Sequence, residues 1–358
     1  MPPLFAKVRA YERQLSAVAM VGGFVFDNFA FGRIDHPATQ AVLAGYLVFA
    51  AASIAFLHYF EARAERRHGT FRWRTIVSAA TQFALGGLWS AFLIFYTRSS
   101  AVVVSWPFLL VLAGILLSNE FFREYHSRLV FTVVLFFIAL FSYMTFVVPI
   151  LVGTMNEFTF LISGACTLLV FALFLGLLSM LGRKRVWDDI GKVTIGAVAA
   201  FVIINLFYFF DVLPPIPLAM ADVGLYHHIE RVNGSYKATG EPLPWTIKFG
   251  QTRVIHLMPG EPLYAYSAVF APIQLKTQIV HRWQYHDDKK GWVTVSTIAF
   301  PITGGRDNGY RGFTIKSHPK AGAWRVDIGT VDGRVIGRVG FYVQSVSEAP
   351  PMTTTYLN

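Results

Sequence analysis

The chain has 358 residues, 54% of them hydrophobic and only 15% charged, with a formal net charge of +10. That charged share lies well under the roughly 25% of ordinary soluble domains, and the apolar excess falls before about residue 213, so two regions adapted to different solvents are expected. The basic excess does not point to nucleic acid, because 14 of the 31 Lys and Arg sit in four short stretches between apolar runs, where such clusters orient spans in a membrane.

A helical span needs about 20 predominantly apolar residues to cross roughly 30 Å of hydrocarbon. Seven runs qualify in chain order: 15–32, 37–60, 75–96, 101–118, 129–149, 158–182 and 193–213. The first is interrupted by Asp27 and Asn28, and the fourth is short with Pro107 inside. Only Arg33 to His36 separate the first two, so a helical hairpin is expected there. The first run lacks a small-x-small cleavage site and is followed by further spans, as an uncleaved anchor would be. A large soluble helical core is the alternative, but a soluble helix shows a polar face, and Leu129 to Ile150 carries no charge.

The loops between runs set the orientation. Stretches 1–14, 61–74, 119–128 and 183–192 carry 3, 5, 2 and 4 Lys or Arg, whereas 33–36, 97–100 and 150–157 carry only Arg33 and Arg98. Positive charge stays on the cytoplasmic side. The N-terminus is therefore expected in the cytoplasm, and an odd number of spans delivers residues from 214 onward to the far side.

Ionisable groups within spans are costly and point to function. Asp27, Arg33 and Asp35 form the densest set. Asp27 lies six residues from Arg33, about 9 Å at 1.5 Å per residue. It reads either as half of a charge pair fixing the hairpin or as a substrate or proton site. Asn205 in the last span reads as an interhelical hydrogen-bonding residue. Asp211 marks the outer interface, before the prolines of Leu213-Pro214-Pro215-Ile216-Pro217 end the helix. Gly86 with Ser90, and Gly87 with Ala91, have the four-residue spacing that lets helices approach closely. The single cysteine, Cys166, lies in an apolar run and leaves no disulfide framework.

After about residue 220 the period becomes that of a strand. Gly322 to Ile328 alternates, with Trp324, Val326 and Ile328 inward and Arg325 and Asp327 outward. Asp332-Gly333 is a hairpin signal leading to another strand. Strands are also expected near 262–270, 275–286, 291–300 and 309–317, with Asp287 to Gly291 as a polar connection. Six short strands predict an all-β, immunoglobulin-like sandwich. The expected division is a helical membrane domain over 1–213, a membrane-proximal connector with one or two strands over 214–260, a sandwich over 261–346 and a tail over 347–358.

No metal-ligand spacing, nucleophile elbow or paired acid and base is present beyond Asp287-Asp288 in a turn. No metal, cofactor or catalytic residue is therefore assigned, and the β-region reads as non-enzymatic. His281, sharing a face with Ile279, Trp283 and Tyr285, reads as a satisfied core histidine. The segment Thr303 to Lys316 is the most distinctive patch. Arg306 and Arg311 can fork onto carboxylate or phosphate, Tyr310 can stack on a sugar, and Lys316 adds charge. The same residues also read as a solvated glycine-rich hairpin.

Gly22 to Asp27 with Gly32 to Asp35, then Pro214 to Leu218 and Gly224 to His227, resemble the corresponding parts of an uncharacterised bacterial inner-membrane protein family. His281 to Trp283, Gly304 to Arg306, Gly309 to Arg311, Gly322 to Val326 and Asp332 to Arg334 resemble its C-terminal periplasmic domain of unknown function. The resemblance implies a seven-span protein of the Gram-negative envelope and imports no activity. The expected function is a non-enzymatic inner-membrane protein whose periplasmic domain binds a glycan, a lipid headgroup or a periplasmic protein. Two other readings stay open: a carrier or enzyme acting on a lipid-linked substrate at Asp27, Arg33 and Asp35, and a seven-span sensor.

Overall fold

A computed structural model describes Phe24, Val25, Asp27, Phe31 and residues 35–64, 71–99, 102–121, 129–214, 218–232, 234–242, 252–272, 275–304 and 309–357. The chain divides into two compact units, one of Met1–Thr97 with Ser105–Leu213, the other of Pro214–Asn358 with Arg98–Val104.

The first unit is helical. Its helices are α1 (Pro37–Ala64), α2 (Phe71–Arg98), α3 (Val102–Phe121), α4 (Leu129–Val152) and α5 (Glu157–Phe209). Gly182 breaks α5 with φ −162° and ψ 69°, so six helical segments are described. Five are long and apolar enough to cross a membrane: Pro37–Arg63, Ile76–Arg98, Leu129–Val152, Glu157–Lys184 and Val186–Phe209. The apolar helix Ser105–Leu117 is shorter. The first expected span, 15–32, lies almost wholly outside the described residues.

These helices are apolar on every side. Trp89, Phe92, Phe137, Phe141 and Phe146 fill the interior, while Val48 is 68% and Met180 88% exposed on the outside. Water does not tolerate such an outer surface over several helices; lipid does. Phe92, Phe95 and Tyr96 of α2 gather round Phe146 of α4, and the Tyr96 hydroxyl lies 3.1 Å from Thr145 Oγ1.

The two limbs of α5 run antiparallel, since Phe160 and Tyr208 stack with centroids 3.6 Å apart and Gly164 lies against Phe201. A Cβ at Gly182 would stand 2.6 Å from His58 Nε2 and 2.8 Å from Ala62 Cβ. Glycine there lets α1 pack directly onto the bend, with His58 Nε2 3.1 Å from the Leu178 carbonyl oxygen. Asn156 caps the start of α5 through its Oδ1, which accepts from Thr159 N at 2.9 Å. At the far end Asp211 takes φ 57°, the left-handed geometry that terminates a helix and that aspartate tolerates.

Among the described residues the second unit has eleven strands: β1 (Ala219–Tyr226), β2 (His228–Val232), β3 (Ser235–Gly240), β4 (Arg253–Leu257), β5 (Leu263–Phe270), β6 (Lys276–Asp287), β7 (Gly291–Thr303), β8 (Tyr310–Lys316), β9 (Gly322–Thr330), β10 (Val335–Ser345) and β11 (Thr353–Leu357). The six strands expected from the sequence are β5 to β10. They are joined by others into three sheets, in the orders β4-β10-β9-β6-β7, β1-β5-β8 and β11-β3-β2. The stretch 214–260, read from the sequence as a connector with one or two strands, holds four among the described residues. The expected tail holds β11.

The β1-β5-β8 sheet is the middle layer. Ser267 of β5 bonds to His281 in the large five-stranded sheet. On its other face Tyr266 and Ala268 pack with Ile229, Ala238 and Leu357 of the small sheet. Seven of the eight β5 residues are consequently buried. An immunoglobulin-like sandwich has two sheets with one core between them, whereas here a third sheet covers the middle one. The hairpin signals hold: Gly333 takes φ 108° in the β9–β10 turn, and Asp287 Oδ1 accepts from Lys289 N and Lys290 N at 3.0 Å.

Candidate functional site

Within the helical unit, Asp27 accepts a hydrogen bond from Ser90 Oγ on α2 at 2.6 Å. Arg33, its expected partner, lies outside the described residues. Asp35 sits in the turn two residues before α1, where a negative charge favours the helix N-terminus. Asn205 donates to the Phe201 carbonyl at 2.8 Å, four residues back in its own helix. Gly87 serves packing, because a Cβ there would come within 2.9 Å of the Tyr46 ring.

The interior of the β-unit carries two histidines in opposite electrostatic settings. His281 is fully buried. Its Nε2 lies 2.7 Å from Ser267 Oγ and its Nδ1 2.9 Å from Thr314 Oγ1, which also accepts from Trp283 Nε1 at 3.0 Å. Burial pushes its pKa down to about 4, so the ring is neutral at pH 7. These bonds tie the middle sheet to the large one and satisfy the histidine, as a core residue requires.

His227 stands at the corner where the chain leaves β1 for β2. Its Nδ1 lies 2.8 Å from Glu261 Oε1 and its Nε2 3.1 Å from Glu241 Oε1, with the side chain 4% exposed. Glu241 also accepts from His256 Nδ1 at 2.9 Å and from His256 N at 2.7 Å. Burial raises the Glu241 pKa, but the His256 side-chain and backbone donors and His227 outweigh it, leaving the carboxyl below its ordinary value. Each nitrogen of the His227 ring thus faces a carboxylate oxygen. The sequence showed only an adjacent His227-His228 pair, since Glu241 and Glu261 come from distant turns.

The expected ligand residues separate onto different faces. Arg306 lies outside the described residues. Tyr310 and Lys316 share the β8 face that carries Thr314, directed at the large sheet; Arg311 and Phe313 face the small sheet. Arg311 Nη1 donates to the Leu357 carbonyl at 3.2 Å, and its own carbonyl accepts from the Tyr236 hydroxyl at 3.3 Å.

Other charged groups gather on the outer face of the large sheet. Arg338 binds Asp327 through two bonds, of 2.5 and 2.7 Å, which allow an outward aspartate to be 4% exposed. Arg282 donates to the Thr330 and Gly333 carbonyls of the β9–β10 turn, at 2.7 and 3.1 Å. Arg325 lies over the Trp292 ring, 4.3 Å from its centroid, and donates through Nε to Gln284 Oε1 at 2.5 Å. Among the described residues no group of three or more His, Cys, Asp or Glu is arranged to hold a metal ion.

The family described as a protein of unknown function (DUF2914) matches residues 276–343, the stretch from β6 into β10. No curated protein matches the chain. Among solved structures, a Listeria innocua β-glucosidase in complex with isofagomine is 15% identical over 31% of this chain and 16% of that enzyme, with a TM-score of 0.19. The same enzyme in complex with gluconolactone is 14% identical over 37% and 18%, at 0.19. The chain thus spans less than a fifth of these β-glucosidases. A Pseudomonas fluorescens alkylpurine DNA glycosylase, AlkC, bound to DNA, is 11% identical over 88% of this chain and 99% of that one, again at 0.19. Likenesses at that level carry neither fold nor activity to this chain.

Proposed function

We propose that the protein is a seven-span bacterial inner-membrane protein with a cytoplasmic N-terminus, whose β-unit lies in the periplasm and binds an envelope ligand or protein partner without performing chemistry. The observation that carries this reading is the antiparallel course of α5. Phe160 stacked on Tyr208 brings both ends of α5 to one side. The basic stretch 183–192 lies at the bend, on the other. Positive charge favours the cytoplasmic side, so the β-unit that follows Phe209 starts on the opposite one. Five apolar helices and the fourteen-to-two loop asymmetry support the same orientation. The binding role is supported by a β-interior whose histidines are committed to structural partners, so a ligand would meet the arginines and aromatic rings at the surface.

The test uses the full-length protein in native membranes, crosslinked and then recovered with bound glycan, lipid or protein. Arg306→Ala combined with Tyr310→Ala is expected to reduce capture at least about fivefold, in the range of a lost contact of about 1 kcal/mol. Asp27→Asn is expected to leave capture unchanged. If Asp27→Asn alone abolishes function and the surface variants are silent, the carrier or enzyme reading replaces this one.

A further inference from the structure

The outer face of the large sheet sets exposed aromatic rings in register with polar groups. One register row places Val254 of β4 beside Tyr342 of β10 and Ala323 of β9. The next row runs Gly340, Arg325, Gln284 and Thr294 across β10, β9, β6 and β7. Trp292 stands opposite His286 at the β7 end. Val254, Tyr342 and Trp292 are 40%, 46% and 39% exposed. Tyr342 and Trp292 are three strands apart, about 14 Å at roughly 4.8 Å per strand. Between them in the same row lie Ala323 and the exposed His286, whose ring centroid is 5.1 Å from that of Trp292, and in the next row a Cβ added to Gly340 would meet no atom within 4 Å. Two exposed rings, Tyr342 and Trp292, thus stand on this face, with open space over Gly340.

The charge of this face is one-sided. It carries Arg282, Arg325 and Arg338 against Asp327, and Asp327 is held by Arg338. Arg325 rests on an indole ring and a neutral amide. Among the described residues it has no carboxylate within ion-pair distance, and its planar fork is suited to an incoming carboxylate. A peptide would add at a strand edge through backbone bonds. This face instead offers flat rings, an amide and the hydroxyl of Thr294, groups that suit the apolar faces and hydroxyls of sugar rings.

We propose that the outer face of the large sheet binds an extended acidic polysaccharide, with sugar rings on Trp292 and Tyr342 and a carboxylate on Arg325. The proposal rests on the reading of the β-unit as a ligand-binding domain and assigns the ligand class and the site. All of these residues except Val254 lie within the stretch that matches the family of unknown function.

The test measures binding of polygalacturonate, neutral dextran and polyglutamate to the full-length protein in detergent micelles. Polygalacturonate is expected to bind saturably and dextran at least about tenfold more weakly. Trp292→Ala and Arg325→Ala should each cost about tenfold, as central aromatic and arginine contacts do. Arg325→Lys should recover only part of the loss, because lysine lacks the fork. Unchanged binding in Trp292→Ala, or polyglutamate binding as tightly as polygalacturonate, overturns the polysaccharide assignment. If polygalacturonate binding is lost in Arg306→Ala with Tyr310→Ala but kept in Trp292→Ala, this face is wrong and the ligand-binding reading stands. If polygalacturonate does not bind and the full-length protein also captures nothing from native membranes, both fall.

Discussion

His281 and His227 are both nearly excluded from water, yet their partners differ: hydroxyls for His281, carboxylates for His227. His281 meets two hydroxyls, which can complement a neutral ring, and nothing offsets the cost of burying a charge there. Its folded pKa, about 4, lies below the ordinary histidine value of about 6.5. The unfolded chain therefore takes up the proton first as pH falls. Its contribution, about 3 kcal/mol by linkage, is fully present above pH ~6.5 and is lost as pH falls to ~4. Lowering pH from 7 to 4.5 should lower the thermal midpoint of the β-unit, read by near-UV circular dichroism. His281→Gln, which keeps a neutral hydrogen-bonding side chain, should flatten that dependence. Glu241, also held below its ordinary pKa, adds to the loss only at lower pH, below the ordinary glutamate range of about 4.3. An unchanged slope in His281→Gln would show that His281 is not the titrating group.

At the scale of elements, a single glycine converts a 53-residue helical stretch into a hairpin. The apolar pattern on both sides of 183–192 made two spans legible, but nothing local announces that His58 and Ala62 of α1 press against Gly182. Gly182→Ala would drive a methyl group to 2.6 Å from His58 Nε2, at a cost of about 1–3 kcal/mol for overpacking. Gly176, with nothing within 4 Å of an added Cβ, is the control; alanine there should be neutral or stabilise by about 0.5–1 kcal/mol through helix propensity. Thermal unfolding of the two variants in detergent compares them directly, and equal midpoints would remove the steric account of the bend. β5 makes a similar point. Its run Leu263 to Phe270 reads as a strand, but its burial on both faces comes from having a sheet on each side.

For the whole molecule, the proposed orientation can be tested with reporter fusions. Alkaline phosphatase fused after Asn358 should be active and a green fluorescent protein fused there dark, while fusions at Asp188 should behave in the opposite way. An active phosphatase at Asp188 would invert the orientation. The loop charges predict this outcome without any tertiary information, because the positive-inside bias acts on each short loop separately. Assembly of the β-unit was far less legible. Arg253 pairs in parallel with Phe341, and Thr353 pairs with Gly240. Such long-range pairings leave no periodic mark near either strand. In Thr353–Leu357 only Leu357 is buried, so β11 carries almost no hydrophobic alternation to betray it.

Composition and periodicity by themselves determined the apolar helices, the change from helix to strand after residue 213, the strands from β5 to β10 and the hairpin at Asp332-Gly333. These are local properties, set by side-chain transfer free energy and by the 3.6- and 2-residue repeats of the backbone. Tertiary structure alone decided which polar groups meet: Asp27 with Ser90, His227 with Glu241 and Glu261, Arg325 with Trp292 and Gln284. It also decided which sheet each face of β8 meets: the large one for Thr314, the small one for Phe313. The reason is physical. A hydrogen bond or ion pair depends on ångström-scale distances between residues tens of positions apart, and no short-range pattern in a chain encodes those distances.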